Sequence, residues 1–238
     1  MAQTDHDNID RGRPLSFEDA EPIATRGLAY EFGLNFNFLR GRRMGFEFPF
    51  EIIWGGAPDT QFELGTSALF GNRAGTTRTG FDLKGFEFGV MHSFNRELPN
   101  APALALKVEA ESEGSGFRKT HYRITGIATK SVRQYDRLHV NAGIELAPSA
   151  GAGENKARLN AVLGYTKPLG YPRHFDTTGL AEFSLKQGER RGDMVTGIGI
   201  GMRRQISPRS VLDIGLQSEL TGRNRIPLRL IIGYSTSL

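Results

Sequence analysis

Hydrophobic and polar residues alternate along most of the chain after residue 27. Residues 28–38, with the sequence LAYEFGLNFNF, place Tyr30, Phe32, Leu34, Phe36 and Phe38 on one face and Glu31, Gly33, Asn35 and Asn37 on the other. A period of two is typical of a β-strand, whereas a helix would mix these two sets of residues. The pattern therefore predicts strands that separate an apolar from a polar environment.

Twelve such segments follow one another between residues 28 and 238. Most of them reach the ~9–11 residues that a tilted strand needs to cross a bilayer, whereas soluble sheets favour strands of ~5–6 residues. An even number of strands suits an antiparallel bacterial barrel. The sequence predicts an all-β fold, a closed antiparallel transmembrane β-barrel of about twelve strands with short loops. The alternative is a soluble sandwich or lipocalin-like barrel whose apolar face turns inward.

The first part of the chain differs from the rest. Residues 1–26 are polar and irregular, with Pro14, Pro22 and several acidic side chains. We expect residues 1–26 to form a lead segment, periplasmic or tucked into the lumen, and residues 27–238 to form the barrel. The chain opens without the basic and apolar regions of a signal peptide. Because the strand pattern indicates the bacterial outer membrane, we expect that a signal peptide has been removed.

The polar faces of the predicted strands carry charges of both signs. We expect the following side chains to line the lumen: Glu47, Glu51, Glu63, Glu87, Lys107, Glu109, Arg123, His139, Glu145, Arg158, Glu182, Lys186, Asp213, Glu219 and Arg229. A twelve-stranded barrel is narrow, so acids and bases can pair across it. Two interpretations remain open: a salt-bridge network that closes the lumen, or a narrow, mainly acidic conduit for small solutes.

Aromatic residues cluster at the predicted periplasmic strand ends, where amphipathic rings would form an interfacial girdle. These residues are Tyr30, Trp54, Phe94, Tyr135, Tyr165, Phe175 and Tyr234. Basic residues crowd the opposite links, among them Arg40, Arg42, Arg43, Arg190 and Arg191. Because arginine binds phosphate bidentately, we hypothesise that these arginines contact lipopolysaccharide. A generic solvated rim is the alternative.

Composition and motifs argue against several other functions. The chain has no cysteine, which excludes disulfides and thiolate metal sites. Its net charge of +4 resides in turns with no nucleic-acid-binding module behind them, so no nucleic-acid partner is predicted. His92 and Ser93 are adjacent and point to opposite faces of a strand, and His139 has no assignable nucleophile. The sequence predicts no enzyme, no cofactor and no metal; a lipid-acting outer-membrane enzyme is a lower alternative.

Several segments resemble the outer-membrane barrel family associated with the MetA pathway of phenol degradation. The resemblance covers residues 17–238 and rests on FEDAEPIATRGLAYEFGLNF, GFDLKGFEFGVMHSF, PNAPALALKVE, HVNAGIEL and SVLDIGLQSELTGRNRIPLRLIIGYSTSL. It implies a transporter-like barrel that passes small, often aromatic or hydrophobic compounds, and it carries no catalytic residues. The chain ends in Leu238, whereas many such barrels end in the phenylalanine that the assembly machinery reads.

Together these features predict a passive outer-membrane channel or transporter-like protein. Its expected partners are outer-membrane lipid, lipopolysaccharide and small solutes, and we expect a monomer. A structural or scaffold barrel, closed by its salt bridges and without transport, is the alternative.

Overall fold

The chain forms a closed barrel in a computed structural model that describes residues 13–41, 43–72, 80–113 and 119–238. Its strands are β1 Leu28–Leu39, β2 Arg43–Ala57, β3 Thr60–Gly71, β4 Asp82–Asn95, β5 Ala103–Glu113, β6 Lys119–Ser131, β7 Arg137–Leu146, β8 Ala157–Pro168, β9 Thr177–Gln187, β10 Met194–Ser207, β11 Ser210–Glu219 and β12 Leu228–Ser237. Each strand pairs antiparallel with its chain neighbours, and β1 pairs with β12. The predicted all-β, twelve-stranded closed barrel is confirmed. No described helix is long and apolar enough to span a membrane.

The two ends of the barrel can be distinguished by the position of the chain termini. The amide of Leu238 donates to the carbonyl oxygen of Leu28 at 3.0 Å, so the barrel begins and ends on the same side. We call this side the proximal end, which also holds the turns β2–β3, β4–β5, β6–β7, β8–β9 and β10–β11. The other six connections lie at the distal end.

The outer surface of the barrel is apolar. Phe32 lies between Phe50 and Tyr234 of the neighbouring strands, with ring centroids 5.1 and 6.5 Å away. Trp54 and Ile200 remain 51% and 63% exposed, far more than core residues of a soluble barrel. The apolar faces therefore turn outward, opposite to the lipocalin-like alternative, and form the band expected of a barrel embedded in lipid.

Three elements differ from the sequence-based expectation. Strand β10 continues to Ser207, through residues that the pattern assigned to a turn, and therefore carries Arg203 on its inward face. Strand β9 begins at Thr177, so Phe175 lies in the preceding turn rather than in the strand. In β4, Gly85 has a φ of 107° and the register with β3 shifts there. This bulge reverses the alternation, so that Lys84 points inward.

The proximal half of the lumen is filled by residues 13–26, which we call the plug. Leu15, Phe17 and Ala20 of the plug are fully buried. They pack against inward-facing apolar side chains of the wall, which include Leu180, Val162, Met91, Ala103, Ala105 and Ile127. The inner face of the barrel is thus partly apolar at the level of the plug.

Candidate functional site: the plugged lumen

The plug backbone is held by side chains of the barrel wall. The amide of Glu18 donates to Asn141 Oδ1 at 2.7 Å, and Asn141 Nδ2 donates to the Glu18 carbonyl at 2.9 Å. The amide of Ala20 donates to Thr129 Oγ1 at 3.0 Å. Equivalent bonds run from the amide of Ile23 to Gln61 and from the amide of Ser16 to Glu182. Polar wall residues therefore replace the strand partners that an irregular buried segment lacks.

Glycines of the wall make room for the plug side chains. A Cβ atom at Gly164 would lie 2.4 Å from Cγ of Phe17, and one at Gly199 would lie 2.9 Å from Leu15 Cδ2. Gly201 and Gly215 approach Pro14 in the same way. The glycines of β10 therefore allow close packing inside the lumen.

One lysine sits among three carboxylates where the plug meets the wall. Lys107 Nζ lies 2.8 Å from Glu18 Oε1, 2.6 Å from Glu63 Oε2 and 3.6 Å from Glu109 Oε1. All four side chains are buried. Because Glu18 belongs to the plug, this cluster ties the plug to β3 and β5 through charge.

Two buried arginines on the other side of the lumen have different roles. Arg203 and Asp213 join β10 to β11 through bonds of 2.7 and 2.9 Å, and both are fully buried. Arg13 belongs to the plug and pairs with Glu31, while its Nη2 lies 3.8 Å from Glu51 Oε2. The first pair fastens wall to wall, and Arg203 Nη2 also donates to the plug at the carbonyl oxygen of Arg13, 3.4 Å away. The second pair fastens plug to wall.

An open vestibule lies above the plug and has two lobes. The first lobe has a volume of about 360 Å³ and reaches down to Arg13 and Glu31. The second has a volume of about 500 Å³ and reaches from Glu18 to the distal turn at Arg190. Both lobes are bounded by Ser16, Arg123, Gln217 and Arg229, so they lie next to each other.

Paired charges line this vestibule. Glu145 pairs with Arg158, lies 3.7 Å from Arg123 Nη2 and lies 3.3 Å from His121 Nδ1. Lys186 Nζ lies 2.6 Å from Glu219 Oε1. Lys84 Nζ lies 3.0 Å from Glu111 Oε1 and 3.9 Å from Glu47 Oε1 in the first lobe. A solute in the vestibule would meet polar groups of both signs.

The structure places all of the predicted lumen residues inside the barrel. Those nearest the plug are Glu51, Glu63, Lys107, Glu109, His139, Glu182 and Asp213. Those around the vestibule are Glu47, Glu87, Arg123, Glu145, Arg158, Lys186, Glu219 and Arg229. His139 lies between the hydroxyls of Thr129 and Thr166, and its ring centroid is 5.0 Å from that of Phe17.

Sequence reasoning missed several residues of the site. Arg13 lay in the irregular lead segment, and Arg203 lay in a predicted turn. Lys84 was missed because the bulge at Gly85 reverses the faces of β4. A strand β10 extended to Arg203 would have placed this residue opposite Asp213 on β11. The opposite charges of the two residues would then have predicted the ion pair.

The predicted girdle residues all lie near the proximal end. Trp54, Phe94, Tyr135, Phe175 and Tyr234 are exposed, whereas Tyr30 and Tyr165 are half-buried. The ring of Tyr171, which the prediction left out, lies 4.8 Å from Tyr135 and 5.9 Å from Phe175 between centroids.

The described arginines of the lipopolysaccharide hypothesis lie at the distal end in two separate turns. Arg40 is exposed in the β1–β2 turn, where Arg43 Nε donates to its carbonyl oxygen at 3.3 Å. Arg190 and Arg191 are exposed in the β9–β10 turn. Arg42 lies outside the described residues. Within the described part of the chain, no group of three or more His, Cys, Asp or Glu side chains is arranged so that it could hold a metal ion.

Comparisons with known proteins relate the fold to channels. No protein-family model and no curated protein matches the sequence. The structure is similar to an outer membrane channel from Pseudomonas putida F1, with a TM-score of 0.72, 10% identity and coverage of 97% of this chain and 100% of that one. It is also similar to the NanC porin, with a TM-score of 0.61, 11% identity and coverage of 89% and 100%. A KdgM porin in complex with disordered oligogalacturonate is similar with a TM-score of 0.57 and 9% identity, and the match covers 88% of this chain and 99% of that one.

These likenesses concern the fold, because all of the identities are low. They support the broad part of the family prediction, a barrel of the outer-membrane channel type. The narrower link to the MetA pathway stays a prediction.

Proposed function

We propose that this protein is an outer-membrane channel for small polar solutes whose pathway is closed by the plug in the state described here. The observation that carries the proposal is the vestibule, a charged space that reaches from the distal turns down to the plug. If the lumen held only a structural salt-bridge network, we would expect that network to fill the space between the plug and the distal turns.

The apolar outer band favours an outer-membrane location, since a strand barrel in lipid satisfies every backbone group internally. We expect the proximal end to face the periplasm and the distal turns to face the exterior. Outer-membrane lipid and lipopolysaccharide are then the surrounding partners, and we expect a monomer. The channel fold of the structural neighbours favours a non-enzymatic role.

The lining of the vestibule bears on the class of solute. Its charged side chains favour polar or charged molecules, because a hydrophobic solute would gain little from such walls and would desolvate them. Passage of aromatic or hydrophobic compounds, which the family resemblance implies, stays a separate prediction. Removing charges from the vestibule, as in Lys84→Ala, should change ion selectivity more than it changes passage of neutral solutes.

A reversible lock on the plug tests the proposal. The amide nitrogen of Ala20 lies 3.0 Å from Thr129 Oγ1, so these positions suit a bridge between plug and wall. Because the chain has no cysteine, Ala20→Cys with Thr129→Cys creates a single possible intramolecular disulfide. We expect the reduced double variant to conduct in planar bilayers and the oxidised form to lose at least tenfold in conductance. The single variant Ala20→Cys is the control and should not respond to oxidation.

A structural barrel without transport is the second candidate. It is favoured by the buried ion pairs at the plug, which give the closed state many charge-assisted bonds. If neither the reduced double variant nor the wild-type protein conducts, the structural role stands and the channel is wrong. If oxidised and reduced forms conduct equally, the channel stands but the plug is not its gate.

A further inference from the structure

We propose that the place on the wall occupied by Arg13 is a recognition site for small solutes that carry a guanidinium group, and that Arg13 is its internal occupant. We call this place the Arg13 seat, formed by Glu31, Glu51, Gly33 and Gly233. The inference rests on the proposed function and names the class of solute that the channel would select. It starts from a group that is already bound: a guanidinium carried by a segment separate from the wall.

The carboxylates of the seat converge on one point. Glu31 of β1 and Glu51 of β2 are direct cross-strand partners. Like charges placed directly opposite each other destabilise a sheet unless a cation lies between them. Arg13 provides that cation, pairing with Glu31 and lying 3.8 Å from Glu51, and its side chain is only 4% exposed. The planar guanidinium fork suits carboxylates better than a rounded ammonium does.

Glycines shape the wall around the aliphatic part of Arg13. Gly33 and Gly233 face each other across β1 and β12. A Cβ atom at Gly233 would lie 3.0 Å from Arg13 Cδ. One at Gly33 would meet Pro49 Cγ first, at 2.6 Å, and would lie at an ordinary contact distance of 3.7 Å from Arg13 Cδ. The seat therefore fits both the charged head and the carbon chain of its occupant.

The seat borders the vestibule. Arg13, Glu31 and Glu51 all line the first lobe, together with Asn35 and Glu47. A solute that enters the first lobe reaches the seat without passing the plug. If Arg13 withdraws, the lobe ends in a pair of carboxylates and a glycine-lined cleft.

The Arg203 pair provides the contrast that makes this interpretation specific. Arg203 and Asp213 both belong to the wall, so their ion pair needs no side chain of the plug, although Arg203 Nη2 also donates to the carbonyl oxygen of Arg13 at 3.4 Å. Arg13 leaves with the plug and returns with it. Because Arg13 is tethered to the barrel, its effective concentration at the seat is high, and it competes strongly with free solute. The seat therefore becomes vacant only if the plug moves or the Arg13 side chain is removed.

Binding to the full-length chain tests the proposal. Wild type, Arg13→Ala and Arg13→Ala with Glu31→Gln would be titrated calorimetrically with methylguanidinium chloride in detergent at low ionic strength. We expect Arg13→Ala to bind at least tenfold more tightly than wild type, and the added Glu31→Gln to remove at least tenfold of that affinity. The control, Arg13→Ala with Glu219→Gln, removes a carboxylate of the second lobe instead. This variant should bind methylguanidinium as tightly as Arg13→Ala does. Tetramethylammonium, which has no N–H donors, should bind at least tenfold more weakly.

A second measurement uses the wild-type protein and so does not depend on the variant folding. Methylguanidinium should compete with Arg13 and accelerate cleavage after the buried Glu18 by a glutamate-specific endoproteinase, and tetramethylammonium should not. Equal affinity for the two cations, or binding that survives Glu31→Gln, would overturn the seat. Failure of the seat and failure of the channel are distinguishable: binding without conductance defeats the channel, whereas conductance without binding defeats the seat.

Discussion

The proximal and distal halves of the lumen are built from the same twelve strands but differ in what fills them. In the proximal half, Arg203 and Asp213 form an ion pair in which both side chains are 0% exposed. In the distal half, Lys186 and Glu219 form an ion pair in which they are 51% and 21% exposed. The difference comes from the plug, a segment outside the strand pattern that excludes water from one half only.

The two halves therefore use charge for different purposes. Burying an ion costs several kcal/mol, so a buried pair is tolerated only in one arrangement and specifies structure. An exposed pair gains about 0–1 kcal/mol and exchanges easily with water or solute. Charge in the proximal half fixes the plug and the wall, and charge in the distal half is available to solutes.

The largest expected effect is the loss of the buried wall pair. Asp213→Ala leaves Arg203 buried without its carboxylate and should lower the free energy of unfolding by about 3–5 kcal/mol. Lys186→Ala is the matched control in the distal half and should change it by at most about 1 kcal/mol. Urea unfolding in detergent micelles, followed by tryptophan fluorescence and heat-modifiable gel mobility, measures both. Equal effects would show that the two halves do not differ in this respect.

The next effect separates the plug from the barrel. Phe17→Ala removes the fully buried ring that packs in the cleft at Gly164, and such truncations cost about 3 kcal/mol or more. Because the strands keep their partners, the barrel should stay folded. The equilibrium constant for docking of the plug should fall about 100-fold.

The rate at which a glutamate-specific endoproteinase cleaves after Glu18 should therefore rise in Phe17→Ala, together with the open probability in bilayers. Phe175→Ala, which truncates an exposed ring at the proximal end, is the control and should change neither. A large loss of barrel stability in Phe17→Ala would mean that the plug and the strands unfold together.

This contrast also explains how much of the molecule could be predicted from sequence. The strands and their faces followed from alternation, because lipid outside and polar groups inside impose a different solvent on every second residue. That pattern is local, and it identified wall residues such as Lys107 and Asp213 without knowledge of their partners.

The plug could not be predicted in the same way. Its residues contact at least seven strands, so no short period of the sequence records its environment. Glu18 alone meets Lys107 of β5 and Asn141 of β7. The glycines of β10 gave the one local signal, since they left space on an inward face, but space does not reveal which segment fills it.

A smaller effect tests the fit between plug and wall. A Cβ atom at Gly164 would overlap the Phe17 ring, so Gly164→Ala should weaken plug docking by about 1–3 kcal/mol, the usual range for overpacking. In a Phe17→Ala background, Gly164→Ala should have almost no effect on plug docking. The difference between the effects of Gly164→Ala with and without the Phe17 ring is the coupling energy of the double-mutant cycle. Gly126→Ala is the control, because its Cβ would come no closer than 3.7 Å to Ala142 O. Additive effects on the rate of cleavage after Glu18 would contradict the assigned contact.

The smallest expected effect concerns the distal rim. The β9–β10 turn is held in place, since the amide of Arg191 donates to Gly153 O at 3.2 Å and Arg190 bridges to Glu154. Exposed arginines on a fixed turn can meet lipid phosphates at low entropic cost, although each exposed contact contributes only about 1 kcal/mol or less and is screened by salt. Arg190→Ser with Arg191→Ser should therefore lower co-purified lipopolysaccharide a few-fold at low ionic strength and have little effect at high salt.

The matched control makes the same change of charge at the other end, with Arg173→Ser and Arg209→Ser in exposed proximal turns. If the distal arginines meet lipopolysaccharide, only the distal variant loses it, because the lipid occupies only the outer leaflet. If both variants lose it equally, net charge is the cause and the distal rim is a solvated surface. The asymmetry of the lumen would then have no counterpart on the outside of the barrel.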